Sequence, residues 1–258
     1  MNAGATPTQA SEATVRLAVL RQANPSAPSV WEAFAVERRP SMNVIFALMQ
    51  IQRNPVTADG RPTTPVFWES NCLEEVCGSC SMVINGKARQ ACSALVDSLA
   101  EPIRLEPMRS FPVVRDLAVD RSRMFEALQR VRAWVPIDGT HDLGPGPRQS
   151  AAEQERRYHL SRCMTCGVCL EACPNFTRGG GFVGAFAINQ VRLFNSHPTG
   201  ARTRASRLDA LLGDGGIREC DNAQNCVESC PKEIPLTASI AAMNRDVNRR
   251  AIMRLLER

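Results

Sequence analysis

Apolar and polar residues alternate from Thr14 onward, with Val15, Leu17 and Val19 on one side, the period of a half-buried strand. Asn24–Ser29, which contains two prolines, reads as a turn, and Val30–Glu37 as the second strand of a hairpin. Ser41 is positioned to cap a helix over Met42–Ile51, whose Val44, Ile45, Leu48 and Met49 share a face. Asn85–Gly86 closes a further hairpin over Ser81–Ala91, and Pro102–Glu106 supplies another strand. The pattern then lengthens to helical period. Helices are predicted over Asp120–Trp134 (Met124, Leu128 and Val131 inward), Ala151–Ser161, Gly184–Ser196 (Phe186, Val191 and Phe194 inward), Ser206–Leu212 and Thr237–Glu257. The chain thus reads as an α+β domain followed by an all-α domain. The predicted limits are a tail at 1–13, a sheet domain at 14–140, a Gly/Pro/Asp-rich linker at 141–150 and a helical domain at 151–258.

A chain of 258 residues can bury two cores. Its eleven cysteines are an odd count in a long chain with no apolar leader, which points to metal ligation rather than a disulfide scaffold. The longest uncharged stretches, Ser41–Gln52 and Gly179–Val191, fall short of the roughly 20 apolar residues that cross a bilayer. A net charge of +5 without a lysine-rich, aromatic-interleaved tract gives no support to nucleic-acid binding. No dinucleotide fingerprint, nucleophile elbow or acid–base pair is present, so no residue is assigned as catalytic. His141, His159 and His197 show no Rieske-like pairing with the cysteines. Arg245, Arg249, Arg250 and Arg254 on the last helix form either a solvated face or a docking surface for a partner or anionic headgroups.

The chemistry lies in three cysteine sets. Cys163–Pro174, CMTCGVCLEACP, has the spacing Cys-x2-Cys-x2-Cys-x3-Cys-Pro of bacterial-type ferredoxins, with zinc as the weaker alternative. Cys72, Cys77 and Cys80 follow the plant-type [2Fe–2S] spacing, and the predicted hairpin brings Cys92 back as fourth ligand. Gly78 and Ser79 suit a tight loop in which backbone amides approach the sulfurs. Cys220, Cys226 and Cys230–Pro231 repeat the ferredoxin run with its second cysteine replaced by Ala223. In two-cluster ferredoxins the fourth cysteine of each run ligates the other cluster. The crossed assignment gives Cys163, Cys166, Cys169 and Cys230 to a [4Fe–4S] cluster, and Cys220, Cys226 and Cys173 to the other. Three thiolates fit a [3Fe–4S] cluster; the alternative is a [4Fe–4S] cluster completed by water or Asp221. Sets of four, four and three use all eleven cysteines.

The motifs NCLEEVCGSC, CMTCGVCLEACP and CDNAQNCVESCPKEIP, with FPVVRDLAVDRSRMFE between the halves, resemble the iron–sulfur subunit of succinate dehydrogenase and fumarate reductase. The resemblance spans about Thr14 to the C-terminal helix. It implies a plant-type ferredoxin (β-grasp) domain followed by a bacterial-ferredoxin-like helical domain. It also implies electron relay between the FAD of a flavoprotein subunit and membrane quinone, in the order [2Fe–2S], [4Fe–4S], [3Fe–4S]. The implied partners are that flavoprotein and a membrane cytochrome b anchor, with FAD and haem on the partners only. The implied location is peripheral, at the cytoplasmic face of the inner membrane.

Near the implied quinone end the chain departs from the best-known members. Asn175–Arg178 follows Cys173–Pro174 where those members carry a tryptophan, Asp221 replaces a histidine, and Asn244 replaces a lysine. Their ubiquinone pocket is therefore not carried over. NAQNC and PKEIPLT are more similar to the branch with a single di-haem anchor, which commonly uses menaquinone. The alternative function is a soluble iron–sulfur carrier or adaptor between cytosolic enzymes. The vacancy at Ala223 makes a prediction: Ala223→Cys allows conversion toward [4Fe–4S], lowers that cluster's potential and slows quinone reduction. An unchanged EPR spectrum in this variant would mean that position 223 does not face the cluster.

Overall fold

Val15, Leu17 and Val19 all lie on the buried face of β1 (Thr14–Arg21), as their alternation requires. In the computed structural model, which describes residues 14–136 and 147–256, β1 pairs antiparallel with β2 (Val30–Glu37) and parallel with β5 (Ile103–Glu106). β3 (Ser81–Ile84) and β4 (Lys87–Gln90) form the Asn85–Gly86 hairpin, and β3 joins β5, giving the order β2-β1-β5-β3-β4. The predicted tail, residues 141–146 of the predicted linker, His141 and Glu257 lie outside the described residues. The described chain divides into two compact units, one of 14–108 with Val113–Val119 and one of Arg109–Pro112 with the residues from Asp120 onward.

Helix α1 (Val44–Arg53) covers the sheet with Val44, Ile45, Ala47, Leu48 and Ile51, the grasp of a mixed five-stranded sheet around one helix. Its cap is Asn43, whose Oδ1 accepts from the Phe46 N–H at 2.9 Å, and not Ser41, which turns through φ 57° two residues upstream. The buried face is centred on Val44, Ala47, Leu48 and Ile51, which leaves Met49 at its margin, 39 % exposed. Between β5 and the first helix of the second unit, where no element is predicted, lies a small ladder, β6 (Val113–Arg115) and β7 (Ala118–Val119), turned by Asp116 at φ 46°.

Asp116 is 1 % exposed and holds the edge of this unit together. Its carboxylate accepts from Arg21 Nε and Nη2 (3.0 and 3.2 Å), the Gln22 N–H (3.0 Å) and the Phe67 N–H (2.9 Å). Arg21 also pairs with Glu32.

The second unit begins with α2 (Ser122–Arg130), which stops four residues before the predicted end because Arg132 adopts φ 52°. α3 (Ala151–Ser161) starts with a reciprocal capping box between Ser150 and Glu153. α4 (Val168–Glu171) and α7 (Asn225–Glu228) are single turns, each directly after a cysteine loop. α5 (Gly184–Ser196) is the central element, packed on α2, α3, α4, α6 (Arg204–Leu212) and α8 (Leu236–Leu256). Gly184 sits at φ +86°, and a Cβ there would lie 2.1 Å from Leu170 Cδ2, so α5 rests directly on α4. Phe186 is buried as predicted, whereas Phe194 is only half-buried. Arg207 is 1 % exposed and spends its guanidinium on the Arg132, Trp134 and Gly200 carbonyls, Asn195 Oδ1 and Thr203 Oγ1. No described helix is long and apolar enough to cross a membrane.

Asp116→Ala leaves Arg21 paired with Glu32 but takes the carboxylate acceptor from the Gln22 and Phe67 N–H groups, and a part-buried donor without an acceptor costs about 1–3 kcal/mol, so the variant is expected to lower stability by about 3 kcal/mol. Denaturant unfolding followed by the fluorescence of Trp68, which packs on this core, measures it.

Candidate iron–sulfur sites

The loop carrying Cys72, Cys77 and Cys80 wraps its own sulfurs. Leu73, Glu75 and Gly78 have positive φ (62°, 56° and 76°), which turns successive amides toward the loop interior. Cys72 Sγ accepts from the Glu74, Val76 and Cys77 N–H groups at 3.3–3.4 Å, and Cys77 Sγ from the Ser79 N–H at 3.5 Å. Burial pushes the Cys77 thiol up, but hydrogen bonds from Cys72 and Ser79 outweigh it and bring it to about 6. Cys92 is the opposite case: burial, with the Cys80 and Cys72 thiols beside it, pushes it up to about 12.

The hairpin delivers Cys92 to this loop as its turn predicts, and two contacts fix it there. Asn43 Nδ2 donates to the Cys92 carbonyl at 2.9 Å, so the cap of α1 also holds the fourth cysteine. Ser93 Oγ donates to Glu75 Oε1 at 2.6 Å, tying the far side of Cys92 to the loop. Gln90, 0 % exposed, lies behind Cys80 with Oε1 3.5 Å from its sulfur. Sequence reasoning missed Asn43, Glu75, Ser93 and Gln90. Only the Asn85–Gly86 register, which places Gln90 opposite Ser81, carried a signal for any of them.

In the second unit, one cavity is lined by Cys163, Cys166, Cys169 and Cys230, and another by Cys173, Cys220, Cys226 and Ala223. The two loops repeat each other in backbone. Thr165 and Gly167 flank Cys166 at φ 52° and 85°, and Asn222 and Gln224 flank Ala223 at φ 58° and 66°. α4 and α7 then pack together, and Asn225 Nδ2 donates to the Ala172 carbonyl at 3.0 Å. Ala223 therefore occupies the place in its loop that Cys166 occupies in the other. Burial raises Cys166 and Cys226 to about 11 each and Cys169 well above its ordinary value, with neighbouring thiols adding to the effect. Such sulfurs lose their protons only when a cation replaces them. Among the described residues no three His, Cys, Asp or Glu side chains close around a single metal ion. Each set of thiols instead lines one shared cavity, four in one and three in the other.

The wall after Pro174 is held by two arginines. Arg123 stacks 3.9 Å from the Phe176 ring centroid and donates to the Thr177, Gly180 and Phe182 carbonyls. Arg130 Nη2 bridges the Gly181 and Gly215 carbonyls at 2.9 and 3.0 Å. Phe182, at the end of this segment, lines the cavity of Cys173. Asn175 Nδ2 donates to Asp221 Oδ2 at 2.7 Å and to the Glu219 carbonyl at 2.8 Å. Of the histidines, His159 meets Glu155 at 3.3 Å and His197 Nδ1 accepts from the Thr199 N–H at 3.2 Å.

Two family models match: a 2Fe-2S iron-sulfur cluster binding domain over residues 16–126 and a 4Fe-4S dicluster domain over residues 159–234. The chain is 60 % identical to the succinate dehydrogenase iron-sulfur subunit of Bacillus subtilis over 238 residues, covering 92 % of this chain and 94 % of that one. It is 30 % identical to the fumarate reductase iron-sulfur subunit of Wolinella succinogenes, covering 83 % and 88 % of the two chains. A chain of the apo Sdh1 complex of Mycobacterium smegmatis shares the fold, with a TM-score of 0.77, 24 % identity and coverage of 93 % and 98 %. With both domain matches falling on the two cysteine-bearing units, the chain belongs to the family of electron-transfer iron–sulfur subunits of succinate dehydrogenase and fumarate reductase.

Proposed function

We propose that the chain relays electrons between the FAD of a flavoprotein subunit and membrane quinone in a succinate:quinone oxidoreductase. Cys72, Cys77, Cys80 and Cys92 hold a [2Fe–2S] cluster. Cys163, Cys166, Cys169 and Cys230 hold a [4Fe–4S] cluster, and Cys173, Cys220 and Cys226 a [3Fe–4S] cluster. When bound, these groups supply one-electron carriers, which is why the chain needs no catalytic side chain of its own. The observation that carries the reading is the sorting of seven thiols into two cavities, with Ala223 in the lining where an eighth would stand.

The protein's own part is to hold, insulate and tune. Backbone N–H groups converge on Cys72 and Cys77 and favour charge on sulfur. Phe182 and Ile240 keep water from the Cys173 side, and Phe186, Ile234 and Leu236 do so on the Cys163 side. Asp221, which stands where other members have a histidine, is hydrogen-bonded by Asn175, and the stretch Asn175–Arg178 lacks their tryptophan, so quinone is bound through a different set, with menaquinone the quinone we favour. The partners are a flavoprotein subunit and a membrane cytochrome b anchor, which carry FAD and haem. The chain itself sits peripherally at the cytoplasmic face of the inner membrane. The name of the Bacillus subtilis relative supports the succinate assignment.

Purified with its partners, the protein is expected to show succinate-dependent quinone reduction, a [3Fe–4S] EPR signal when oxidised and a [2Fe–2S] signal when reduced. A preparation with neither quinone reduction nor a [3Fe–4S] signal overturns the reading. The crossed assignment has its own test. Cys230→Ser should perturb the [4Fe–4S] signal first, and Cys173→Ser the [3Fe–4S] signal. The reverse pattern would mean that each loop serves only its own cluster.

A further inference from the structure

Behind Cys80 lies a chain of hydrogen-bonded polar groups that the relay does not otherwise use. Gln90 is 0 % exposed and Ser81, its cross-strand partner, 2 %. Gln90 Nε2 donates to Ser81 Oγ at 2.9 Å, and Ser81 Oγ donates to the Gly78 carbonyl at 2.8 Å. At the other end of the amide, the Cys80 thiol donates to Gln90 Oε1 at 3.5 Å. This arrangement is self-consistent only while Cys80 keeps its proton.

A cysteine that ligates iron is a thiolate and has nothing to donate. Oε1 would then face a negatively charged sulfur 3.5 Å away, two acceptors in direct contact, which is a costly arrangement in a buried site. A half-turn of the carboxamide repairs it, because oxygen and nitrogen occupy nearly the same space. Nε2 then donates to Cys80 Sγ across the same 3.5 Å, and Ser81 swings its one hydroxyl proton from the Gly78 carbonyl to Gln90 Oε1. The Gly78 carbonyl that gives up Ser81 lies inside the ligand loop, between Cys77 and Cys80.

We propose that Gln90 is a positioning residue for the electron carrier on this loop: in the loaded protein its carboxamide is turned to donate an N–H···S bond to Cys80, and thereby raises the midpoint potential. A bond to a ligating sulfur strengthens as negative charge accumulates there, so it favours the reduced state. The inference rests on the reading of Cys80 as a [2Fe–2S] ligand.

The test is a redox titration of the [2Fe–2S] EPR signal in the complete complex carrying Gln90→Met, which keeps length and burial but has no N–H. The two amide orientations predict opposite signs. With the nitrogen toward sulfur, the variant has a lower potential, with the reduced-to-oxidised ratio at fixed ambient potential falling about tenfold, or 59 mV for a one-electron couple. With the oxygen toward sulfur, the variant loses a repulsion, and an unchanged or higher potential overturns the proposal. Should the variant fail to load its cluster, unaltered complex labelled with 15N at glutamine Nε decides. Nitrogen hyperfine coupling to the reduced cluster supports the proposal, and its absence sinks it. Absence of any [2Fe–2S] signal in the unaltered complex refutes the ligand assignment instead, so the two failures are distinguishable.

Discussion

A loop that surrounds a non-protein group must reverse its backbone every two or three residues, and L-residues resist that. In this chain the resistance is overridden at Leu73, Glu75, Thr165, Asn222 and Gln224, all held at positive φ, with glycine used only at Gly78 and Gly167 in the same loops. Left-handed geometry costs a residue with a Cβ about 1–2 kcal/mol. The surrounding structure must therefore over-determine each loop, and most of the fold serves that end. Asn43 caps α1 and grips the Cys92 carbonyl; Ser93 holds Glu75; Arg123 and Arg130 tie down the chain after Pro174.

The two units meet this requirement differently. In the sheet unit the loop hangs from a hairpin whose register is fixed by Asn85–Gly86, and the core of α1 and the strands is complete without any cysteine beyond Cys80 and Cys92. In the helical unit the thiols are part of the interior. α4 and α7 are too short to be stable alone, and their packing depends on α5 and α8 on one side and on the cysteine cavities on the other.

Cysteine spacing made the chemistry legible in the sequence because a ligand loop is local: the residues that bind are neighbours in the chain, and their separation reflects the shape of what they bind. Strand and helix periods were legible for the same reason. What escaped depends on contacts between distant residues. The cap of α1 fell on Asn43 rather than Ser41 because Asn43 also has a partner at Cys92. The β6–β7 ladder is too short to show a period, and it exists because buried Asp116 gathers Arg21, Gln22 and Phe67 around it. Gln90 reads as an ordinary polar strand residue until the pairing puts it in the interior.

The two cavities of the helical unit have one further consequence. Cys173 follows the loop of Cys163–Cys169 yet lines the other cavity, and Cys230 does the converse. The two loops are therefore clasped like interlaced fingers, and neither cavity has a complete wall until both have closed. Each cavity therefore draws its wall from both loops, and a displacement of either loop is felt in both.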